Sequence, residues 1–390
     1  MKYDFDQVID RRNTNSLKYD FALERGKPAD ILPLWVADMD FQTPPQVREA
    51  LVKSAQHGIF GYTDTKQDYF EAVAKWFAEG FDWKIEPSWL VKTPGVVYAI
   101  CLAIRAFTAK GDGVIIQQPV YHPFANSIIA NERTLVNNPL RYQDGRYTID
   151  FEDFEEKIIR HKVKLFLLCS PHNPVGRVWT EEELRRLGEI CLRHKVLIVA
   201  DEIHADFVYP GFKHHVFAGL SPELADQTIT CTAPSKTFNL AGLQVSNIFI
   251  SNKNLRAKFR EEMVKSGYSQ CNTMGLVACQ TAYTYGRTWL EELINYLSSN
   301  LAFLRSFLAE QLPKIKLVEP EGTYLVWLDF NKLGLTQEQL DDIIVYKAGL
   351  WLNSGTIFGQ EGKGFQRINI ACPRATLERA AKQLAKAFNS

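Results

Sequence analysis

The sequence predicts an α/β fold built on a mainly parallel sheet, with a smaller α+β unit beside it. Two observations carry this reading. Through the middle of the chain, short and continuously apolar runs such as 163–169 and 196–200 alternate with longer stretches whose apolar residues recur at helical spacing. Strands buried on both faces and joined by helices are the pattern of a parallel sheet. After about residue 285 the texture changes to long helices and then a strand-like stretch, 322–328.

Taken in order, residues 95–110 read as a helix. Val96, Ile100, Ala103 and Phe107 share a face, and Gly111 supplies the stop. A strand follows over 113–118 and ends at Pro119. Helix 154–161 leads into strand 163–169. Thr180 opens the next helix with Glu183 three residues on, a capping box. That helix runs to about His194, before strand 196–200. Further strands are expected at 227–232 and 245–250. A last helix, 376–388, aligns Leu377, Ala380, Ala381 and Leu384. The expected division is a large unit over 45–285 and a small one made of 1–44 and 286–390.

Composition narrows the partner. Lysine plus arginine and aspartate plus glutamate both number 45, so the formal net charge is zero. No long-range field then draws the chain to nucleic acid or an anionic membrane, and a small molecule is the expected partner. The seven cysteines are scattered and never form a Cys-x-x-Cys pair, which argues against a disulfide framework or a structural zinc site. Met1-Lys2-Tyr3-Asp4 opens polar, without an apolar signal core, and no apolar run is long enough to span a bilayer. A cytoplasmic protein is expected.

Ligands of an open parallel sheet bind beyond the C-terminal ends of its strands. Reading just past each expected strand gives Tyr121, Asn173, Asp201, and Ser235 with Lys236. Thr93-Pro94-Gly95 precedes a helix whose first N–H groups can seat a phosphate. An acid, an amide, an aromatic ring, an amine and an anion seat are thus expected on one rim. Singly, each has an ordinary explanation as a cap, a turn, packing or solvated surface. Together they match what one cofactor type requires: an amine for a carbonyl carbon, an acid for a pyridine nitrogen, a donor for a phenolic oxygen, and a helix end for a phosphate.

The run 232–243, Thr-Ala-Pro-Ser-Lys-Thr-Phe-Asn-Leu-Ala-Gly-Leu, resembles the Schiff-base segment of fold-type I pyridoxal 5'-phosphate (PLP) enzymes, the aspartate aminotransferase superfamily. The stretches 34–41 (Leu-Trp-Val-Ala-Asp-Met-Asp-Phe), 170–176 and 201–206 resemble its cystathionine β-lyase or C–S lyase branch, the MalY/PatB group. The resemblance runs from about Phe5 to the last helix. It implies the PLP-dependent transferase fold, with a seven-stranded type of sheet in the large unit.

It also implies roles. Lys236 holds PLP as a Schiff base and moves the Cα proton, Asp201 pairs with the pyridine nitrogen, and Asn173 bonds the phenolic oxygen and borders the substrate. Tyr121 stacks on the ring, and either Tyr121 or Lys236 protonates the departing sulfur. His204 stands beside the cofactor or orients its neighbours. Gly95, Val96 and Val97 hold the phosphate through the backbone, with Thr232 and Ser235 adding hydroxyls. Tyr62 reaches a neighbouring subunit's phosphate, which implies a homodimer. Arg367 grips the substrate α-carboxylate, and the backbone of Ala37 closes over it. One position departs from the superfamily: Gln244 stands where many members carry a phosphate-binding arginine.

The implied reaction is β-elimination on L-cystathionine or another S-substituted cysteine, giving thiol, pyruvate and ammonia. The alternative is an aminotransferase acting on a non-dicarboxylic amino acid, since no second arginine for a side-chain carboxylate is identified. A dinucleotide fingerprint is missing after the early strands. Gly359-Gln360-Glu361-Gly362-Lys363-Gly364 has the wrong spacing for one and reads as a mobile loop near Arg367.

Overall fold

The computed structural model describes residues 3–389; Met1 and Lys2, the first half of the polar opening, lie outside them. Its centre is a seven-stranded sheet of β1 (Leu90–Thr93), β2 (Gly113–Ile116), β3 (Thr134–Asn137), β4 (Leu165–Cys169), β5 (Leu197–Asp201), β6 (Thr228–Thr232) and β7 (Ser246–Phe249). The spatial order is β1-β7-β6-β5-β4-β2-β3. Six strands run one way; β7 runs against both of its neighbours, β1 and β6. The reversed strand looks like the others in sequence, because an apolar run buried on both faces has no direction.

Each face of the sheet has its own core. Ile115, Phe166, Leu168, Ile198 and Ala200 pack on one side. Val114, Ile116, Leu165, Leu167 and Val199 pack on the other. This period-two alternation of buried residues explains why the strands read as unbroken apolar runs. The helix after β1, α1 (Val96–Phe107), and the helix after β4, α2 (Glu181–His194), start where the sequence placed them, within a residue. Thr180 and Glu183 form the capping box. The helix expected at 154–161 begins earlier, at Phe151, because Asp150 accepts from the Asp153 N–H and caps it.

A second sheet, fully antiparallel, is built from β8 (Lys316–Val318), β9 (Leu325–Asp329), β10 (Asn353–Ser354) and β11 (Phe365–Asn369), in the order β8-β9-β11-β10. The long helix Arg287–Gln311 and the terminal helix Arg374–Asn389 accompany it. The early chain joins this region: Leu32–Pro33 pairs in parallel with Leu350–Trp351.

The stretch 359–364, expected as a loop near Arg367, is locally wound. It is wound into a tight turn, Gln360–Gly362, after another at Gly355–Phe358. A Cβ on Gly355 or Gly362 would sit about 2 Å from the other's carbonyl oxygen. Only glycine allows that approach. Glu361 further accepts from Asn137, at the end of β3.

All seven cysteines are free thiols, and six are buried. Among the described residues no helix is long and apolar enough to cross a membrane, and no cluster of His, Cys, Asp and Glu is arranged to hold a metal.

Candidate active site

The segment 35–41 arrives from the N-terminal side and is strapped across the C-terminal ends of the sheet strands. Asn369 Nδ2 donates to the carbonyls of Val36 and Asp38, at 2.8 Å each. Asn239, three residues past Lys236, donates to the Met39 and Phe41 carbonyls at 3.0 and 2.9 Å. Behind the strap, buried Lys18 pairs with Asp40 at 2.9 Å, and Arg11 pairs with both Asp38 and Asp40. These bonds fix backbone that no sheet or helix would otherwise hold.

Beneath the strap lies a cleft with about 990 Å³ of empty space, part of it open to solvent. Eleven of the thirteen residues singled out in the sequence line it: Ala37, Gly95, Val96, Val97, Tyr121, Asn173, Asp201, His204, Ser235, Lys236 and Arg367. The topology explains the convergence, since β2, β4, β5 and β6 end at this rim.

Lys236 sits in the short helix Pro234–Thr237 just after β6. Its Nζ donates to the Ala37 carbonyl at 3.4 Å. Burial lowers its pKa from 10.5 to about 8; Asp38 and Asp201 oppose that fall and Arg367 adds to it. At pH 7 a pKa of about 8 leaves ~10% of the amine unprotonated, about 300-fold more than an ordinary lysine. A nucleophilic amine is therefore present at neutral pH.

Asp201 ends β5 and is 4% exposed. Its Oδ1 accepts one bond, from the Ile203 N–H at 3.2 Å. Burial raises its pKa from 3.8 to about 7, against the pull of that bond and of Lys236. A buried carboxylate in this state is an acceptor waiting for a cationic partner.

Arg367 lies on β11 and is 4% exposed. It donates to Asn173 Oδ1 (2.9 Å), the Trp35 carbonyl (2.8 Å) and Asn353 Oδ1 (2.5 Å), all neutral. Its Nε has no partner among the described residues. Burial draws its pKa down to about 10. These contacts replace the surface ion pair that an isolated arginine would suggest, and they leave its charge uncompensated. With Asn173 Oδ1 taken by Arg367, the Asn173 NH2 is the group left to donate into the cleft.

Tyr121 is half-buried beside this set, its hydroxyl pushed up to about 12 by burial and then by Asp201. His204 is buried, and burial, followed by the charges of Lys236 and Arg367, holds it well below the usual histidine range, hence neutral. The Ala37 carbonyl accepts from Tyr324 Oη at 2.7 Å as well as from Lys236. Gly95 caps α1 without any side-chain bond, so the first N–H groups of that helix face the cleft unpaired. A Cβ placed on Gly95 would meet nothing within 4 Å.

Two residues fall outside this set. Thr232 is buried and spends its hydroxyl on the Asn247 carbonyl at 2.8 Å, across the pair β6–β7. Tyr62 is 99% exposed and stands apart from the lining. Gln244 lines the cleft in a left-handed backbone conformation, φ 48°.

Sequence reasoning missed His122, Trp35 and Asn353, which also line the cleft. Trp35 lies inside a quoted motif and was available as a signal. His122 follows Tyr121, and its pKa is lowered by burial and then by Arg367.

Comparison with known proteins agrees with the geometry. The chain matches the family described as aminotransferase class I and II over residues 29–384. It is 44% identical over 385 residues to cystathionine beta-lyase PatB of Bacillus subtilis, covering 99% of this chain and 100% of that one. The crystal structure of cystalysin from Treponema denticola, which contains a pyridoxal 5'-phosphate cofactor, is 39% identical and superposes with a TM-score of 0.96 over 100% of this chain and 99% of that one. A PLP-bound C–S lyase from Staphylococcus hominis in complex with L-cycloserine is 34% identical with a TM-score of 0.93, covering 100% of this chain and 98% of that one. The chain belongs to the class I and II aminotransferase family.

Proposed function

We propose that this chain is a PLP-dependent β-lyase that takes L-cystathionine or another S-substituted L-cysteine and water to a thiol, pyruvate and ammonia. The observation that carries the reading is the convergence on one cleft of an amine near pKa 8, a buried carboxylate and a buried arginine without a counter-ion. The full-length similarity to proteins named cystathionine beta-lyase and C–S lyase supports it over transamination.

The residues present fit PLP. Among the described residues, Asp201 has no cation in direct contact, the N-terminus of α1 has no anion, and Arg367 Nε has no acceptor. A pyridinium nitrogen, a phosphate and a substrate carboxylate supply these three in turn. When bound, the cofactor supplies an electron sink conjugated to the substrate Cα.

The protein's part is then positional and acid–base. Lys236 holds the cofactor through Nζ and, once released, takes the Cα proton. Asp201 would ionise beside the pyridinium nitrogen and hold the proton there. Arg367 fixes the α-carboxylate by a two-pronged contact that lysine cannot reproduce. The Asn173 NH2 donates to the phenolic oxygen, and the neutral ring of His204 supports the site without adding a competing charge. Tyr121 packs against the ring and keeps its proton at neutral pH. The proton for the departing sulfur comes from Tyr121 or from Lys236.

Gly95, Val96 and Val97 would hold the phosphate through their backbone, with the Ser235 hydroxyl adding a donor. Thr232 does not contribute, because its hydroxyl is committed, and Gln244 brings no charge. Tyr62, exposed with Ile59 and Phe60 on the segment after α-helix Pro45–His57, suits a surface that closes over a second copy. We accordingly assign a homodimer in which Tyr62 completes the partner's phosphate site. A large unit over 45–285 and a small one from 1–44 and 286–390 accord with the two sheets. Seven free thiols accord with a cytoplasmic setting.

The test is Lys236→Ala. The variant is expected to fold, to lose turnover, and to lose the absorbance of lysine-bound PLP. Retention of both signals would remove Lys236 from the chemistry.

A further inference from the structure

We propose that a second cavity beside the main cleft is a subsite for the zwitterionic amino-acid tail that leaves with the sulfur. This deepens the β-lyase reading and rests on it.

The cavity has about 520 Å³ of empty space, part of it open to solvent, and is lined by Lys27, Asp341, Trp351, Asn353, Ile357 and Gln366 among others. Asn353 lines both spaces. Trp35, a wall of the main cleft, stacks on Trp351 of the second cavity with ring centroids 4.4 Å apart and planes 11° from parallel. The two spaces therefore share one amide and adjoin the same pair of stacked indoles.

The charges fit one ligand class. Lys27 has no carboxylate within 4.0 Å among the described residues. A second cation, Arg25, lies 5.4 Å from the Trp35 ring centroid and has no such partner either. Among the described residues Asp341 accepts only from neutral donors: Gln337 (2.9 Å) and Gln366 (2.5 Å) on Oδ1, and Ser354 (2.9 Å) on Oδ2. A cavity with an uncompensated cation and an uncompensated anion complements a group carrying one carboxylate and one ammonium. The far end of L-cystathionine is such a group.

Access follows from the present contact of Asn353. Its Oδ1 is held by Arg367. An arriving α-carboxylate is a stronger, charged acceptor for that guanidinium and displaces the neutral amide. Asn353, which lines both spaces, is then released to turn toward the tail.

The experiment measures KM and kcat of the PLP-loaded enzyme for L-cystathionine and for S-methyl-L-cysteine, which lacks the tail. Lys27→Met is expected to raise KM for cystathionine about tenfold, the loss of one charge-assisted contact, with kcat nearly unchanged. S-methyl-L-cysteine kinetics should stay within about twofold, the scale of a remote surface change. Lys27→Glu should raise the cystathionine KM further and improve S-(2-aminoethyl)-L-cysteine, whose tail is cationic. Asp341→Asn, whose amide oxygen still accepts from Gln366, should also raise KM for cystathionine alone. Unchanged cystathionine kinetics in the Lys27 variants, or equal losses on both substrates, would overturn the subsite. Absence of pyruvate from either substrate with the wild-type enzyme would overturn the lyase reading and the subsite with it, a result distinguishable from the first.

Discussion

Replacing Asp201 by asparagine separates the demands of function from those of stability. The side chain is 4% exposed, and its carboxyl is raised from 3.8 to about 7 by burial. In the unfolded chain the group ionises near 3.8; in the cofactor-free fold it holds its proton until about 7. Between those values the folded state binds more protons than the unfolded state, so this group makes stability fall as pH rises through the window. The gap corresponds to up to about 4 kcal/mol once the pH is above 7. Asparagine has no charge to bury, and its Oδ1 can still accept from the Ile203 N–H.

Urea unfolding of cofactor-free wild type and Asp201→Asn at a series of pH values from 4 to 8 reads this directly. Other groups titrate in the same range: His204, held below its ordinary value, contributes stability that is lost as pH falls. It does so in both proteins and cancels in the difference. The variant should match wild type near pH 4 and become progressively the more stable, by up to about 4 kcal/mol at pH 8, while losing most of its turnover. Parallel pH profiles would refute the argument that Asp201 is a buried charge held in reserve for a cation.

Further outcomes follow from the other site residues. Arg367→Lys should raise KM for any amino-acid substrate by about 10- to 100-fold, the worth of a charged hydrogen bond, with a smaller effect on kcat measured in the same assay. Gly95→Ala places a methyl in space that is open in the protein alone. Thermal unfolding of the cofactor-free form should be unchanged, while the Kd for PLP, read by fluorescence titration, rises about tenfold or more. Capture of PLP by the cofactor-free protein needs the free amine of Lys236. Its stopped-flow rate should therefore climb with pH and level off above about 8, where that amine is deprotonated; a rate that falls across this range would contradict the assignment.

How much of this was legible in the sequence depended on where each residue sits. Asp201, Asn173 and Lys236 lie at or just past the C-terminal ends of apolar strands, and the rule for open sheets finds such positions without coordinates. Arg367 entered only through resemblance, since β11 belongs to a separate sheet and nothing local marks its reach into the cleft. Tyr324 and Asn369 were invisible for the same reason, common residue types whose value arises from packing across hundreds of positions, and Asn353 because its worth lies in pairing with Arg367 across that same separate sheet. Thr232 illustrates a different limit. It stands four residues before Lys236, yet its hydroxyl bonds the neighbouring strand, and which way a side chain turns on a strand buried on both faces cannot be read from an apolar run. The reversed strand β7 and the packed turn at 359–364 were likewise hidden, one because burial carries no direction, the other because glycine marks both looseness and close approach.

What the assembled cleft does to a carbon–sulfur bond decides between elimination and transamination. PLP-loaded protein incubated with L-cystathionine and no 2-oxo acid should release pyruvate and free thiol in equal amounts over many turnovers. If neither is formed, and adding a 2-oxo acid to a panel of amino acids yields new amino acid instead, the cleft is a transaminase site and the β-elimination reading is wrong.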